Sequence, residues 1–173
     1  RTIIVNDALI LFQKAIIKGI PVRTIAEGKL SYKNEINNDN IKALYEPMSM
    51  STLIRSQFES FCTFHNIYLS NNSEEIRAFL YYAWVLSGLN TRQRFIHDKM
   101  PADLKLKAQK EKNLILEITN RIKENIYYKS LGEKKRKWVD DEIKKRAFGF
   151  LIKDDVIQKP GWSALFLNSG VIE

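Results

Sequence analysis

Residues 101–128 read PADLKLKAQKEKNLILEITNRIKENIYY, and this stretch decides the fold class. Pro101 suits the first position of a helix, where its missing N–H is not needed. Leu104, Ala108, Leu114, Ile115, Ile118 and Ile122 are expected to face the core from one helix. Interspersed Lys and Glu supply a solvated, ion-paired outer face. No Gly or further Pro interrupts the run before Tyr128, so the helix is expected to span the whole stretch.

The same pattern extends outward on both sides. Toward the N-terminus, Ile4, Ala8, Leu11, Phe12, Ala15 and Ile16 predict a first helix over Thr2 to Lys18, with Gly19 and Pro21 as cap and breaker. Pro21 to Asn40 reads as a loop containing Gly28 and a cluster of Asn and Asp. A second helical stretch is expected from Asn40 to Ser70, divided at Pro47. Its Leu53, Ile54, Phe58, Phe61, Phe64, Ile67, Tyr68 and Leu69 suit a central helix. Asn72 and Glu75 resemble a capping box before a third helix that carries Ile76, Phe79, Leu80, Ala83, Trp84 and Leu86. Gly88 is expected to bend or end that helix, before a polar stretch from Asn90 to Lys99. Beyond Tyr128, a fifth helix is expected from Glu133 to Phe148. Pro160 then opens a short segment, Gly161 to Leu167. The expected fold is all-α, a single-domain antiparallel bundle of five or six helices over residues 1–173.

Composition narrows the function classes. Seven Gly and four Pro are too few for a chain built of short strands and tight turns. The single cysteine, Cys62, excludes an internal disulfide, and no Cys/His spacing suits zinc. A reducing, cytoplasmic setting is expected, with no metal or other cofactor. The apolar run from Thr2 to Ile20 is interrupted by Asn6, Asp7, Gln13, Lys14 and Lys18, so no membrane span is expected. The abundance of Lys, Ile and Asn fits an AT-rich bacterial genome. Because the first residue is Arg1, a longer gene product is expected. The net charge of +8 is compatible with nucleic-acid contact and equally with a Lys-rich solvated surface. Phosphate-loop, dinucleotide-binding and nucleophile-elbow motifs are all missing from the sequence.

The first candidate site is Arg92-Gln93-Arg94-Phe95-Ile96-His97. An Arg fork can hold a phosphate and stabilise developing negative charge. A His can move protons near neutral pH. The Arg-x4-His spacing resembles the Arg-x4–6-His motif of HEPN proteins, helical bacterial ribonucleases and nucleotide-binding modules of toxin and phage-defence systems. Gln93 stands where that family often has Asn, Asp or His. The resemblance implies metal-free RNA cleavage through the neighbouring 2′-hydroxyl, with Arg92 on phosphate and His97 as acid or base, and a homodimer. The alternative is a solvated turn.

The second candidate is the pair Arg55 and Glu59, four residues apart on one helix face. The surrounding stretch resembles a bacterial helical family of unknown function that carries Arg-x-x-x-Glu on an apolar central helix. A charged pair amid apolar residues is expected to be buried, either as an anion clamp with its orienter or as a structural ion pair. His65 and Cys62 on the same helix read as core residues. The third candidate is Lys134, Lys135, Arg136 and Lys137 with Lys144, Lys145 and Arg146, which could contact phosphates while Trp138 stacks on a base. Two function classes follow. One is a HEPN-like protein acting on RNA or a nucleotide, and the other is a non-enzymatic helical interaction module with a protein partner.

Overall fold

A computed structural model describes residues 2–28, 31–33, 40–42, 47–70, 73–145, 150–153 and 156–158. These residues form two compact units, one before Ser70 and one from Ser70 onward. The all-α class holds, with six α-helices and two three-residue antiparallel hairpins among the described residues.

In the first unit, α1 spans Thr2–Ala26 and passes through Pro21, well beyond the expected stop at Lys18. An interior Gly such as Gly19 costs only about 1 kcal/mol, too little to end a helix. The turn after Pro21 is held by burial of Ile25 and by the Thr24 hydroxyl, which donates to the Ile20 carbonyl at 2.9 Å. The stop is Gly28, whose φ of 64° lies in the left-handed region open to glycine. Its N–H donates to the Ile25 carbonyl at 3.0 Å, satisfying one orphan acceptor of the helix end. Strands β1 (Ser31–Lys33) and β2 (Asn40–Lys42) pair antiparallel inside what reads as loop and helix start. Helix α2 spans Pro47–Phe64 and ends in a π turn, His65–Leu69. Pro47 therefore starts this helix rather than dividing it, using the first-turn position where no N–H is required.

Helices α1 and α2 run antiparallel. The rings of Phe12 and Phe64 lie 5.6 Å apart, while Lys18 reaches Ser56 and Ser60. The Lys18 ammonium donates to the two hydroxyls at 2.9 and 2.7 Å, and to the Ser56 carbonyl at 3.2 Å. This fixes which side of α1 faces α2. Leu11 and Ile25 are buried, whereas Phe12 and Ile16, expected in the core, are exposed by about half.

In the second unit, Ser73 caps α3 (Glu74–Gln93), its hydroxyl accepting from the Ile76 N–H. Ser73 takes the role expected of Asn72, which lies outside the described residues. The helix runs through Gly88 without stopping and buries Ile76, Phe79, Leu80, Ala83 and Leu86 as expected. Helix α4 covers Ala102–Glu124, after Pro101 as its cap. It stops short of Tyr128 because the Asn125 side chain accepts from the Tyr128 N–H and starts a new short helix, α5 (Ile126–Ser130). Leu104 and Leu114 point outward, against expectation, while Ala108, Ile118 and Ile122 are buried. Helix α6 covers Glu133–Lys144, and strands β3 (Leu151–Lys153) and β4 (Val156–Gln158) follow. The end of the expected fifth helix and the segment from Pro160 lie outside the described residues.

Helices α3 and α4 are antiparallel, since Asn125 donates to the Glu75 carbonyl at one end and Gln93 to the Ala108 carbonyl at the other. Phe79 sits at the centre, fully buried, with the rings of Tyr127, Tyr128 and Phe150 within 5.4–6.3 Å.

These contacts set three stability predictions, each read by urea unfolding. Phe79→Ala should destabilise by about 3–5 kcal/mol. Gly28→Ala should cost about 1 kcal/mol because of its φ. Gly19→Ala should stabilise by about 0.5–1 kcal/mol, because the new Cβ meets only the flexible tip of Gln57.

Candidate functional site

Arg92 lies in the last turn of α3, and His97 follows that helix in an irregular stretch. Both side chains are exposed. The Nε of Arg92 pairs with Oε1 of Glu111 on α4 at 2.9 Å. Gln93 donates to the other oxygen of the same carboxylate at 3.2 Å. Glu111 thus joins two residues of the motif and offsets the positive charge of Arg92. Sequence reasoning missed Glu111, which lies a helix away and carries no local signal.

Arg55 and Glu59 do form the expected pair, with Nε to Oε1 at 2.9 Å, but not the expected burial. The Arg55 side chain is 74% exposed. Helix α1 lies over Ser56, Ser60 and Phe64, which leaves Arg55 to solvent. His65 is half-buried, 6.1 Å ring to ring from Phe61, and Cys62 is buried.

Lys134, Lys135, Lys137 and Lys144 of α6 and its C-cap Lys145 are exposed, and Arg136 is half-buried. Helical spacing puts Lys134, Lys137, Lys144 and Lys145 on one side, with Asp141 among them. Lys145 also pairs with the buried Glu142 at 3.1 Å. Trp138 is half-buried with its ring edge-on to Phe150 at 5.6 Å, so it serves the aromatic core rather than an exposed stacking platform. Arg146 lies outside the described residues.

A cavity of about 270 Å³ opens between α3, α4 and α6. Leu86, Ile122 and Ile143 form its apolar part, while Lys123, Asp140 and Lys144 supply charge. It takes in one of the candidate lysines and neither Arg92 nor His97. The Tyr128 hydroxyl donates to both oxygens of Asp140 at 3.0 Å. Burial, then that hydrogen bond and the carboxylate charge, push the Tyr128 hydroxyl up to about 12. In the first unit, burial and the charge of Asp7 push the Tyr68 hydroxyl up as well. Among the described residues, no cluster of His, Cys, Asp and Glu could hold a metal ion, and no helix is long and apolar enough to cross a membrane.

The largest feature that sequence reasoning missed is on α1. Val5, Leu9, Ile10, Phe12, Ile16, Ile17 and Ile20 are all 46–60% exposed. Phe12, Ile16, Phe58, Phe61 and Phe64 line a shallow apolar groove of about 400 Å³ between α1 and α2. The signal was present in sequence, because α1 carries apolar residues over most of its circumference and one neighbouring helix covers only one side.

Comparison with known proteins gave no matching family, no matching curated protein and no matching solved structure.

Two outcomes follow from this geometry. Glu59→Ala should cost less than about 1 kcal/mol in a denaturant titration, as for other exposed ion pairs. The fold holds Tyr128 as a neutral phenol, its hydroxyl raised from 10.0 to about 12. Its contribution to stability is therefore complete below pH 10 and is lost as pH rises through 12. Tyr128→Phe should flatten that alkaline decline.

Proposed function

We propose that this chain is a helical interaction module that docks through the solvent-facing apolar side of α1. The observation that carries this reading is the exposed stripe Val5, Leu9, Phe12, Ile16 and Ile20. Steps of three and four residues place these side chains along one line of the helix. Asp7, Lys14 and Lys18 project from the other side by the same geometry, so the line carries no charge between Val5 and Ile20, and Arg23, paired with Glu27 at 2.6 Å, ends it. Contiguous apolar surface of this extent marks an interaction site in most folded proteins.

The test replaces Leu9 and Ile16 by Glu together. A docking face is not part of the chain's own core. The double variant should therefore keep its helical circular dichroism and, in dilute solution, lie within about 1 kcal/mol of wild type. A loss of about 3 kcal/mol or more at every protein concentration would assign the stripe to the chain's own core and end the reading.

A second reading has its own support, the Arg92–Glu111 pair. Glu111 engages the Nε edge of a guanidinium that stays 63% exposed, an arrangement suited to orienting Arg92 toward a phosphate. His97, five residues on and exposed, would transfer the proton in metal-free RNA cleavage. The exposed lysines of α6 would add salt-sensitive contacts to the phosphate backbone. Under this reading, single-stranded RNA is cut in the presence of a chelator. His97→Ala should lower the rate by about 10²–10⁴-fold. Arg92→Ala should lose comparable activity, and Glu111→Gln less. Equal background cleavage by wild type and all three variants would remove it.

A further inference from the structure

The cavity between α3, α4 and α6 lies wholly within the second unit and is independent of α1. Each helix turns one face into it. Leu86 and Asn90 stand four residues apart on α3, Thr119 and Lys123 on α4, and Asp140 and Lys144 on α6. Leu86, Ile122 and Ile143 are buried and form an aliphatic floor, while Lys123 and Lys144 are exposed at the mouth. Folded interiors seldom leave voids larger than a water molecule. An apolar cavity of about 150 Å³ holds benzene. At about 270 Å³ this one has room for a single ring with a short arm.

Charge decides what the arm carries. Among the described residues, neither Lys123 nor Lys144 forms an ion pair, since Lys145 is the one that takes the buried Glu142. Asp140 is the one carboxylate in the lining, and both its oxygens accept from the Tyr128 hydroxyl. Two cations and one anion leave a single positive charge at the mouth. A monoanion balances it, whereas a phosphate dianion overshoots and is repelled by Asp140. The Asn90 amide makes one long bond, to the Ile143 carbonyl at 3.5 Å, and keeps donor capacity for a carboxylate oxygen. Each lysine also lies in the last turn of its helix, where a cation suits the helix dipole. On α4, Arg121 already fills that role.

We infer that this cavity binds a small amphiphilic monoanion, a carboxylate with a single-ring apolar body. The ring lies on Leu86, Ile122 and Ile143, and the carboxylate meets Lys123 and Lys144. This site stands apart from the docking reading and fails or holds without it.

The experiment titrates the full, isotope-labelled chain with hydrocinnamate and follows backbone amide resonances. Those of Leu86, Asn90, Thr119 and Ile143 should shift and saturate by millimolar concentration, whereas acetate, which lacks the ring, should not saturate them. Hydrocinnamamide, of the same shape without the charge, should bind about three- to tenfold more weakly, as expected for two partly exposed ion pairs. Lys123→Gln and Lys144→Gln together should weaken the acid by the same factor and leave the amide unchanged. These are surface positions, so the fold is kept. Thr119→Phe, which puts a ring into the cavity, should remove binding of both compounds with helicity unchanged. Phenyl phosphate should bind wild type more weakly than hydrocinnamate. Absence of saturable shifts at the four resonances overturns the inference. So does an amide that binds as tightly as the acid, tighter binding of phenyl phosphate, or undiminished binding to the Thr119→Phe protein.

Discussion

A helix with large apolar side chains over most of its circumference cannot be finished by one neighbour, and α1 has one described helix, α2, packed against it. Three hydrogen bonds from Lys18 to Ser56 and Ser60 decide which side α2 takes. Once that side is fixed, the line from Val5 to Ile20 flanks the contact and stays about half exposed, with Phe12 still against Phe64. The arrangement of charge follows the same division. Lys18, a residue usually found outside, is turned inward onto two hydroxyls, while Ile16 and Ile20 are turned out. Such an inversion is costly for a free surface and natural for an interface.

The second unit solves its packing internally. Phe79, Tyr127, Tyr128 and Phe150 form an aromatic centre, and polar ties close both ends of the antiparallel α3–α4 pair. Arg121 adds a third tie, donating to the Tyr82 hydroxyl at 3.1 Å with its guanidinium 5.7 Å from the same ring. Glu111 belongs to this scheme. By holding Gln93 and Arg92 together it fastens the end of α3 to α4, and the same contact orients the guanidinium that a phosphate would meet.

Sequence carried much of this and failed in explicable places. The inward face of α3 was legible because its apolar residues recur with one phase and polar residues separate them. On α1 the phase is undefined, since nearly every direction is apolar, so Phe12 and Ile16 were placed on the wrong side. On α4, Leu104 and Leu114 read as core, yet only Ala108, Ile118 and Ile122 are buried. Pro47 fits both the interior break and the first turn of a helix, and sequence cannot separate the two. The hairpins use three-residue strands, too short for an alternating pattern to register. The ion pair of Arg55 and Glu59 was readable from its spacing, whereas its exposure depended on where α1 lies. Glu111 was invisible because its partners meet it only after α3 and α4 have packed.

The central claim is that the apolar line of α1 lies open on the folded protein. Fluorescence of an apolar dye such as 8-anilinonaphthalene-1-sulfonate with native protein in dilute solution measures this most directly. Enhanced fluorescence is expected for wild type, and its loss is expected in a Leu9→Glu, Ile16→Glu variant of unchanged helicity. Equal fluorescence from the two proteins would contradict it.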